Sequence, residues 1–419
     1  MKDQGYHARG AGTRQDPDVR WTEHVLGVGD EECDAARMHA RHRLGLAAMF
    51  TDLGLYLLML SLPYRLLDRD ASSAVIGLVP LMYAAPYGLV ALMAGRVSDR
   101  FPRRGPIRVG LALAVLATAS LAAVDPVPTV LGLVVAVGVG LGFFWPSVQA
   151  GFSEVAAGRD LHGLTRLFNV SWSTGKGLGL LFGGLLLGVI GAERVPLVAA
   201  ASFTASALVL PRMARPGDHS EAIAEEGGAP PPRTQQAFRR AAWIANGISF
   251  GIAATVNHHL PKVLLGVDIG GRDFGIFFGS VFLAQTLLFV TVGNLRAWHY
   301  RALPLVGMQV VLAAGAVAVT GVESFVALML FAPLLGAGLG FAYQSSLYYS
   351  LHAPVARGAQ AGVHEAALGL ASATIPVAGG FAVAGAGVRA PFVLAAVCML
   401  VSAIVGANWI RRSLRSPRH

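Results

Sequence analysis

The sequence predicts an all-α membrane protein of twelve transmembrane helices, arranged as two pseudo-symmetric six-helix bundles. Three observations carry that expectation. Apolar runs of about twenty residues, enough to cross a hydrocarbon core of about 30 Å, recur from Leu44 onward. Only 14% of the 419 residues are charged while 54% are apolar, against roughly 25% charged in soluble domains. The second half also repeats the first at a fixed offset of 198 residues.

In chain order the spans read 44–64, 73–94, 106–124, 127–149, 165–190, 194–211, 240–260, 274–293, 303–321, 324–346, 361–386 and 390–410. Residues 1–43 are polar and lack the apolar stretch of a signal peptide, so they read as a cytoplasmic tail; residues 31–43 as a short amphipathic surface helix is the alternative. The N-terminal bundle takes residues 44–212 and the C-terminal bundle 239–410. Residues 213–238, with Asp218, Glu221, Glu225, Glu226 and the run Pro230-Pro231-Pro232, form a cytoplasmic linker too polar to fold alone. Residues 411–419 are a basic cytoplasmic tail.

Charge sets the orientation. Loops and the tail on one side carry nineteen arginines, from Arg96 to Arg418, whereas the other side has six basic residues: Arg65, Arg69, Arg194, Lys262, Arg272 and Arg389. The positive-inside rule then places both termini in the cytoplasm, and a plasma (inner) membrane is the expected location. The net charge of +9 is accounted for by those inward loops and calls for no nucleic-acid partner. Cys33 and Cys398 fall in the tail and the last span, so neither a disulfide nor a cysteine metal site is expected.

The repeat is specific. Leu62-Pro63 recurs as Leu260-Pro261, Gly77 as Gly275, Gly95 as Gly293, Arg103 as Arg301 and Arg159 as Arg357. The segment beginning Gly140-Leu141-Gly142-Phe143 returns as Gly338-Leu339-Gly340-Phe341, and after a two-residue deletion Gly183-Gly184 returns as Gly379-Gly380. Two bundles of common ancestry, related by an axis along the membrane normal, follow.

Residues 95–104, Gly-Arg-Val-Ser-Asp-Arg-Phe-Pro-Arg-Arg, lie between the second and third spans. They resemble motif A of the major facilitator superfamily, G-x-x-x-D-R-x-G-R-R, with Pro102 in place of the second glycine. Together with the spans, linker and repeat, the resemblance covers residues 44–410. It implies a secondary transporter working by alternating access. It also implies a gate in which Asp99 meets the positive N-terminal end of span 11, while Arg100, Arg103 and Arg104 hold lipid heads or carboxylates and Gly95 opens the motif. The second-half loop, Gly293 to Arg301, has lost the Asp, so the two gates are not equivalent. Gly175-Lys176-Gly177-Leu178-Gly179-Leu180-Leu181-Phe182-Gly183-Gly184 looks like the family's antiporter motif C, with Leu180 where that motif has proline. Its span-11 counterpart, Pro376 to Gly379-Gly380, keeps the proline. The motif implies export in exchange for protons; ordinary small-residue helix packing is the competing reading.

Ionisable residues within spans are costly and usually face a cavity or a partner. Asp52 lies about 12 Å into span 1 and Lys176 about 16 Å into span 5 at the helical rise. Glu365, beside His364, sits near the start of span 11. Asp52 or Glu365 is a candidate proton carrier, and Lys176 either pairs with it or binds an anionic substrate. A structural Asp52–Lys176 ion pair is the alternative. Candidate cavity residues are Trp145, Gln149, Asn169, Trp172, Asn257, Gln285, Tyr343 and Gln344, aromatic walls with a few polar groups. Tyr348 and Tyr349 read as interfacial, and His258-His259 as an outer pair without a site role.

No phosphate-binding G-x-x-x-x-G-K-[ST] loop, metal-ligand cluster or nucleophile–base pair occurs, so no cofactor, metal, ATP drive or enzymatic activity is expected. The sugar-porter Pro-Glu-Ser-Pro-Arg segment and the span-4 arginine of drug exporters are missing as well. The expected function is proton-coupled efflux of a small organic solute by a monomer in the bilayer. A proton-coupled uptake symporter, or a non-transporting sensor or assembly protein, is the alternative.

Overall fold

A computed structural model of the chain describes residues 30–98, 104–156, 161–211, 230–292, 295–351 and 357–415. Each expected span is a helix: α1 (Asp30–Leu67), α2 (Ser73–Ser98), α3 (Arg104–Leu121), α4 (Val127–Ala156), α5 (Leu161–Ile190), α6 (Val195–Val209), α7 (Pro232–Leu264), α8 (Gly271–Val292), α9 (Ala302–Ala318), α10 (Phe325–Met329 and Phe331–Leu351), α11 (Arg357–Ala386) and α12 (Ala390–Arg415). Among the described residues there is no strand, and ten helices are long and apolar enough to cross a membrane. The exceptions are α6, which is apolar but has 15 residues, and α7, whose first turns carry Arg233, Arg239 and Arg240. Large apolar side chains such as Leu89, Leu116, Leu208, Leu303 and Phe381 lie bare on the outer surface, as a lipid-facing wall requires.

Several helices start earlier than their apolar runs, and three of these bear on the expected boundaries. Residues 30–43, read as tail, continue α1, where Arg43 Nε donates to Val209 O at the end of α6 (2.8 Å). Within the expected linker α7 already begins at Pro232, whose missing N–H costs nothing in a first turn. The start of α11 at Arg357 puts Glu365 two turns inside the helix rather than in its first. Hydropathy registers only the section of a helix inside hydrocarbon, so polar turns beyond it pass as loop. Span 10 breaks at Leu330 because Pro333 has no N–H to offer Met329 O.

The repeat governs the backbone. Helix starts Ser73/Gly271, Arg104/Ala302 and Val127/Phe325 stand 198 residues apart, and Leu161/Arg357 stand 196 apart after the deletion. Asp70 (φ 55°) and Asp268 (φ 58°), one repeat apart, both turn left-handed just beyond α1 and α7. Asp is one of the few side chains that tolerates this conformation.

Packing repeats too. In each half the first helix packs on the fifth and sixth, and the fourth on the second and third. The duplicated glycines are the reason for the close second–fourth crossing. A Cβ at Gly138 would strike Tyr83 O and one at Gly336 would strike Val281 O, positions one repeat apart. Between the bundles, α5 lies on α8 and α2 on α11, again equivalent pairs. Even-numbered spanning puts the start of α1, the end of α6, the start of α7 and the end of α12 on one side, here the tail side; the opposite side is the far side.

Candidate substrate cavity

Between the bundles lies a cavity of about 110 Å³. Its walls come from α1 and α2 in one half and from α7 and α8 in the other, joined by Lys176 of α5 and Ser372 of α11. Twelve of the eighteen lining residues pair through the repeat: Leu55 with Ala253, Tyr56 with Ala254, Met59 with Asn257, Pro80 with Phe278, Ala84 with Phe282, and, across the deletion, Lys176 with Ser372. The cavity therefore straddles the pseudo-two-fold axis. Its backbone frame is symmetric and its chemistry is not.

Lys176 is buried, with Nζ 3.8 Å from the Phe282 ring centroid, 4.2 Å from Tyr56 and 5.0 Å from Phe250. Aromatic faces attract a cation, so the ammonium is held in a box drawn from both bundles. Asp52 sits one turn tail-side of Tyr56, within electrostatic reach of Lys176, but does not line the cavity. Among the described residues the two form no direct ion pair. Across the cavity, Asn257 Nδ2 donates to Met59 O (3.0 Å), which leaves its Oδ1 without a partner. His258 Nδ1 bonds Ala254 O (2.8 Å), and its Nε2 is likewise unpartnered.

Cross-bundle contacts bound the cavity on both sides. On the far side, Asn257–Met59 is followed by Lys262 Nζ donating to Ser73 Oγ (2.9 Å) and by the Tyr64–Phe274 ring contact (6.2 Å). On the tail side Trp172 meets Tyr343 (4.9 Å) and Phe289 (5.8 Å). Below them Asn169 Nδ2 donates to Gln344 Oε1 (3.5 Å), and Gln149 Nε2 to Glu365 Oε1 (3.3 Å).

Of the residues picked from sequence, the structure thus gathers Lys176 and Asn257 at the cavity and Gln149, Asn169, Trp172, Tyr343, Gln344 and Glu365 in the layer beneath it. Trp145 packs edge-on to Phe144 and Phe168 in the N-terminal core instead. Gln285 is buried between α8 and α10, against Gly340, with both amide atoms unpartnered. His364 bonds Ser346 Oγ through Nδ1 (2.7 Å) inside the C-terminal bundle, 4.0 Å from Glu365. The motif C-like glycines are seams. Gly175, Gly179 and Gly183 seat α5 on α1, and Gly184 seats it on Gly275 of α8. Gly379 abuts Pro391, Gly380 meets Ser73 O, and Pro376 O accepts from His259 Nε2 (2.9 Å). Gly95 lies near the end of α2 and Arg104 opens α3; Asp99, Arg100 and Arg103 lie outside the described residues.

The sequence reading missed Tyr56, Tyr83, Phe250 and Phe282, and His258, read there as one of an outer pair without a site role, lines the cavity. Asp52 held the clue for Tyr56, four residues on and on the same helical face. The repeat held the clue for Phe282, the counterpart of Ala84, whereas the counterparts of Tyr83, Phe250 and His258 (Val281, Asp52 and Leu60) do not line the cavity.

A family model, Major Facilitator Superfamily, matches residues 44–363. The chain belongs to that superfamily. Its fold matches a bacterial homologue of the human lysosomal transporter Spinster, inward-facing and unoccupied (TM-score 0.70, 14% identity, 91% of this chain and 99% of that one). The occupied inward-facing form of that homologue gives a TM-score of 0.68 at 16% identity over the same shares. A point mutant of the nucleoside transporter NupG matches at 0.69 and 13% identity, covering 88% of this chain and 99% of that one. No curated protein sequence matches the chain. As a superfamily member it is a multi-pass membrane transporter, not an enzyme.

Proposed function

We propose that this transporter exports a small organic solute across the inner membrane by alternating access, in exchange for protons, with its tails, linker and motif A on the cytoplasmic side. The cavity on the pseudo-two-fold axis, bounded by cross-bundle contacts on both sides, is the observation that carries the reading. A rocking motion of the bundles breaks one contact layer while the other holds, exposing the same cavity alternately. Asp52 carries the proton, beside the Lys176 charge that tunes it. The outward direction rests on the motif C-like glycines of α5, whose resemblance to antiporters supports export.

A second reading, proton-coupled uptake, is favoured by one observation: Asp52 and Lys176 are within electrostatic reach without a direct ion pair. An anion at Lys176 would compete with Asp52 for that ammonium, so anion and proton would bind together, as in a symporter.

Proteoliposomes with an imposed pH gradient and a solute panel test the proposal. Asp52→Asn should abolish gradient-driven accumulation while downhill exchange persists. Continued accumulation by Asp52→Asn, with unchanged pH dependence, would take the coupling role from this residue. The sign of proton movement relative to solute separates exchange from symport.

A further inference from the structure

We infer that the cavity selects a ring-sized organic monoanion bearing a hydrogen-bond donor remote from its negative charge. This rests on the transport reading only for calling the ligand a substrate, and an anion at Lys176 agrees with the symport reading of the coupling rather than with exchange.

The cavity leaves several polar atoms unused. Lys176 offers an ammonium that no carboxylate contacts among the described residues. Its aromatic box stabilises the charge without neutralising it. A ligand cation is repelled there and a ligand anion attracted. The opposite wall offers two acceptors and no free donor. Met59 O can only accept, so Asn257 must present Nδ2 to it, leaving Oδ1 as a buried acceptor without a partner. Ala254 O can only accept, so His258 Nδ1 carries the hydrogen and the neutral ring keeps a lone pair on Nε2. Both residues line the cavity, only 3% and 4% exposed, and buried acceptors without partners are costly. A donor on the ligand would satisfy them.

Size follows from volume. The cavity measures about 110 Å³, below the roughly 150 Å³ of an apolar cavity that holds benzene, so the ligand carries no more than one ring. Leu55, Met59, Pro80, Phe278 and Leu368 add apolar wall, and Tyr83, Tyr87 and Ser372 complete the lining, the Ser372 hydroxyl being spent on Leu368 O. Between the two polar ends there is room for a single small ring at most. Such a ligand would span Lys176 of the N-terminal bundle and the Asn257-His258 pair of the C-terminal bundle, drawing the halves together.

The test uses the full chain in lipid nanodiscs and four probes, with binding measured by calorimetry. They are 4-hydroxybenzoate, benzoate (no donor), 4-hydroxybenzyl alcohol (no charge) and 4-hydroxybenzylamine (cation). 4-Hydroxybenzoate should bind about tenfold or more tightly than each of the others, as expected when a buried polar group is left unpaired. Lys176→Gln should erase its advantage over the alcohol, and His258→Leu should shrink its advantage over benzoate. Alcohol binding that survives in Lys176→Gln shows a folded cavity; the unmutated chain's probe ranking stands regardless of either variant. Amine binding equal to that of the acid, or binding of none of the probes, overturns the inference. Acid binding without transport in proteoliposomes sinks the transport reading alone, whereas transport of cations without acid binding sinks this inference alone.

Discussion

Gly184→Ala should shift the transporter between its access states without unfolding it. A Cβ at Gly184 would stand 2.5 Å from Gly275 Cα and 2.9 Å from the carbonyls of Arg272 and Gly271, all backbone atoms that cannot rotate away. Overpacking of this kind costs about 1–3 kcal/mol. The cost falls only on states in which α5 and α8 are pressed together at the far side, so it enters the conformational equilibrium directly. A bias of about 1–3 kcal/mol is roughly 5–150-fold in population. Gly188, further along the same helix, has nothing within 4 Å of its Cβ position, so Gly188→Ala changes both states equally and is the control. Spin labels at Thr129→Cys and Glu323→Cys, exposed at the far-side ends of the two halves, report the opening when Cys33 and Cys398 are replaced by Ser. Gly184→Ala should enrich the long-distance population and Gly188→Ala should not. Identical distance distributions in both variants, with full transport, would refute the idea that this glycine contact is the far-side seam.

Three further outcomes are expected. Arg65→Met should lower thermal stability by about 2–5 kcal/mol, since the buried guanidinium bonds Leu121 O and Val124 O and its loss strands both carbonyls; unfolding in detergent measures it. Asp268→Val should cost about 1–2 kcal/mol at φ 58° whereas Asp268→Gly should be tolerated, and Asp70 should show the same contrast in the same assay. Gln149→Leu should weaken the tail-side layer by about 1 kcal/mol through loss of its bond to Glu365, read as faster thiol labelling of Asn169→Cys from the tail side; unchanged labelling would show that this bond does not hold the layer.

Particular residues show where the sequence was legible. The spans were readable because hydrocarbon demands about twenty apolar residues per crossing, and each of the twelve runs is a helix. The polar first turns of α1 and α7 were not readable, because outside hydrocarbon nothing forces a helix to look apolar. The repeat foretold equivalent helix starts. It also held, unread, much of the cavity frame, because two copies of one bundle facing an axis line it largely with equivalent positions, although Phe250 lines the cavity and its counterpart Asp52 does not.

Amino-acid order by itself determined the class, the helix count, the duplication and Lys176 as a charge needing an explanation. Only tertiary structure decided what that charge meets. Gln285 and Asn257 are both polar residues in apolar helices, yet one is sealed against Gly340 and the other opens onto the cavity. Helical rotation separates those fates, and rotation is set by which glycines let which helices approach. Lys176 and Asp52 could have been a closed pair on sequence grounds. In the fold Tyr56, Phe250 and Phe282 surround the ammonium instead, because α7 and α8 bring the other half's rings across the axis, and no local pattern in α1 or α5 encodes that meeting.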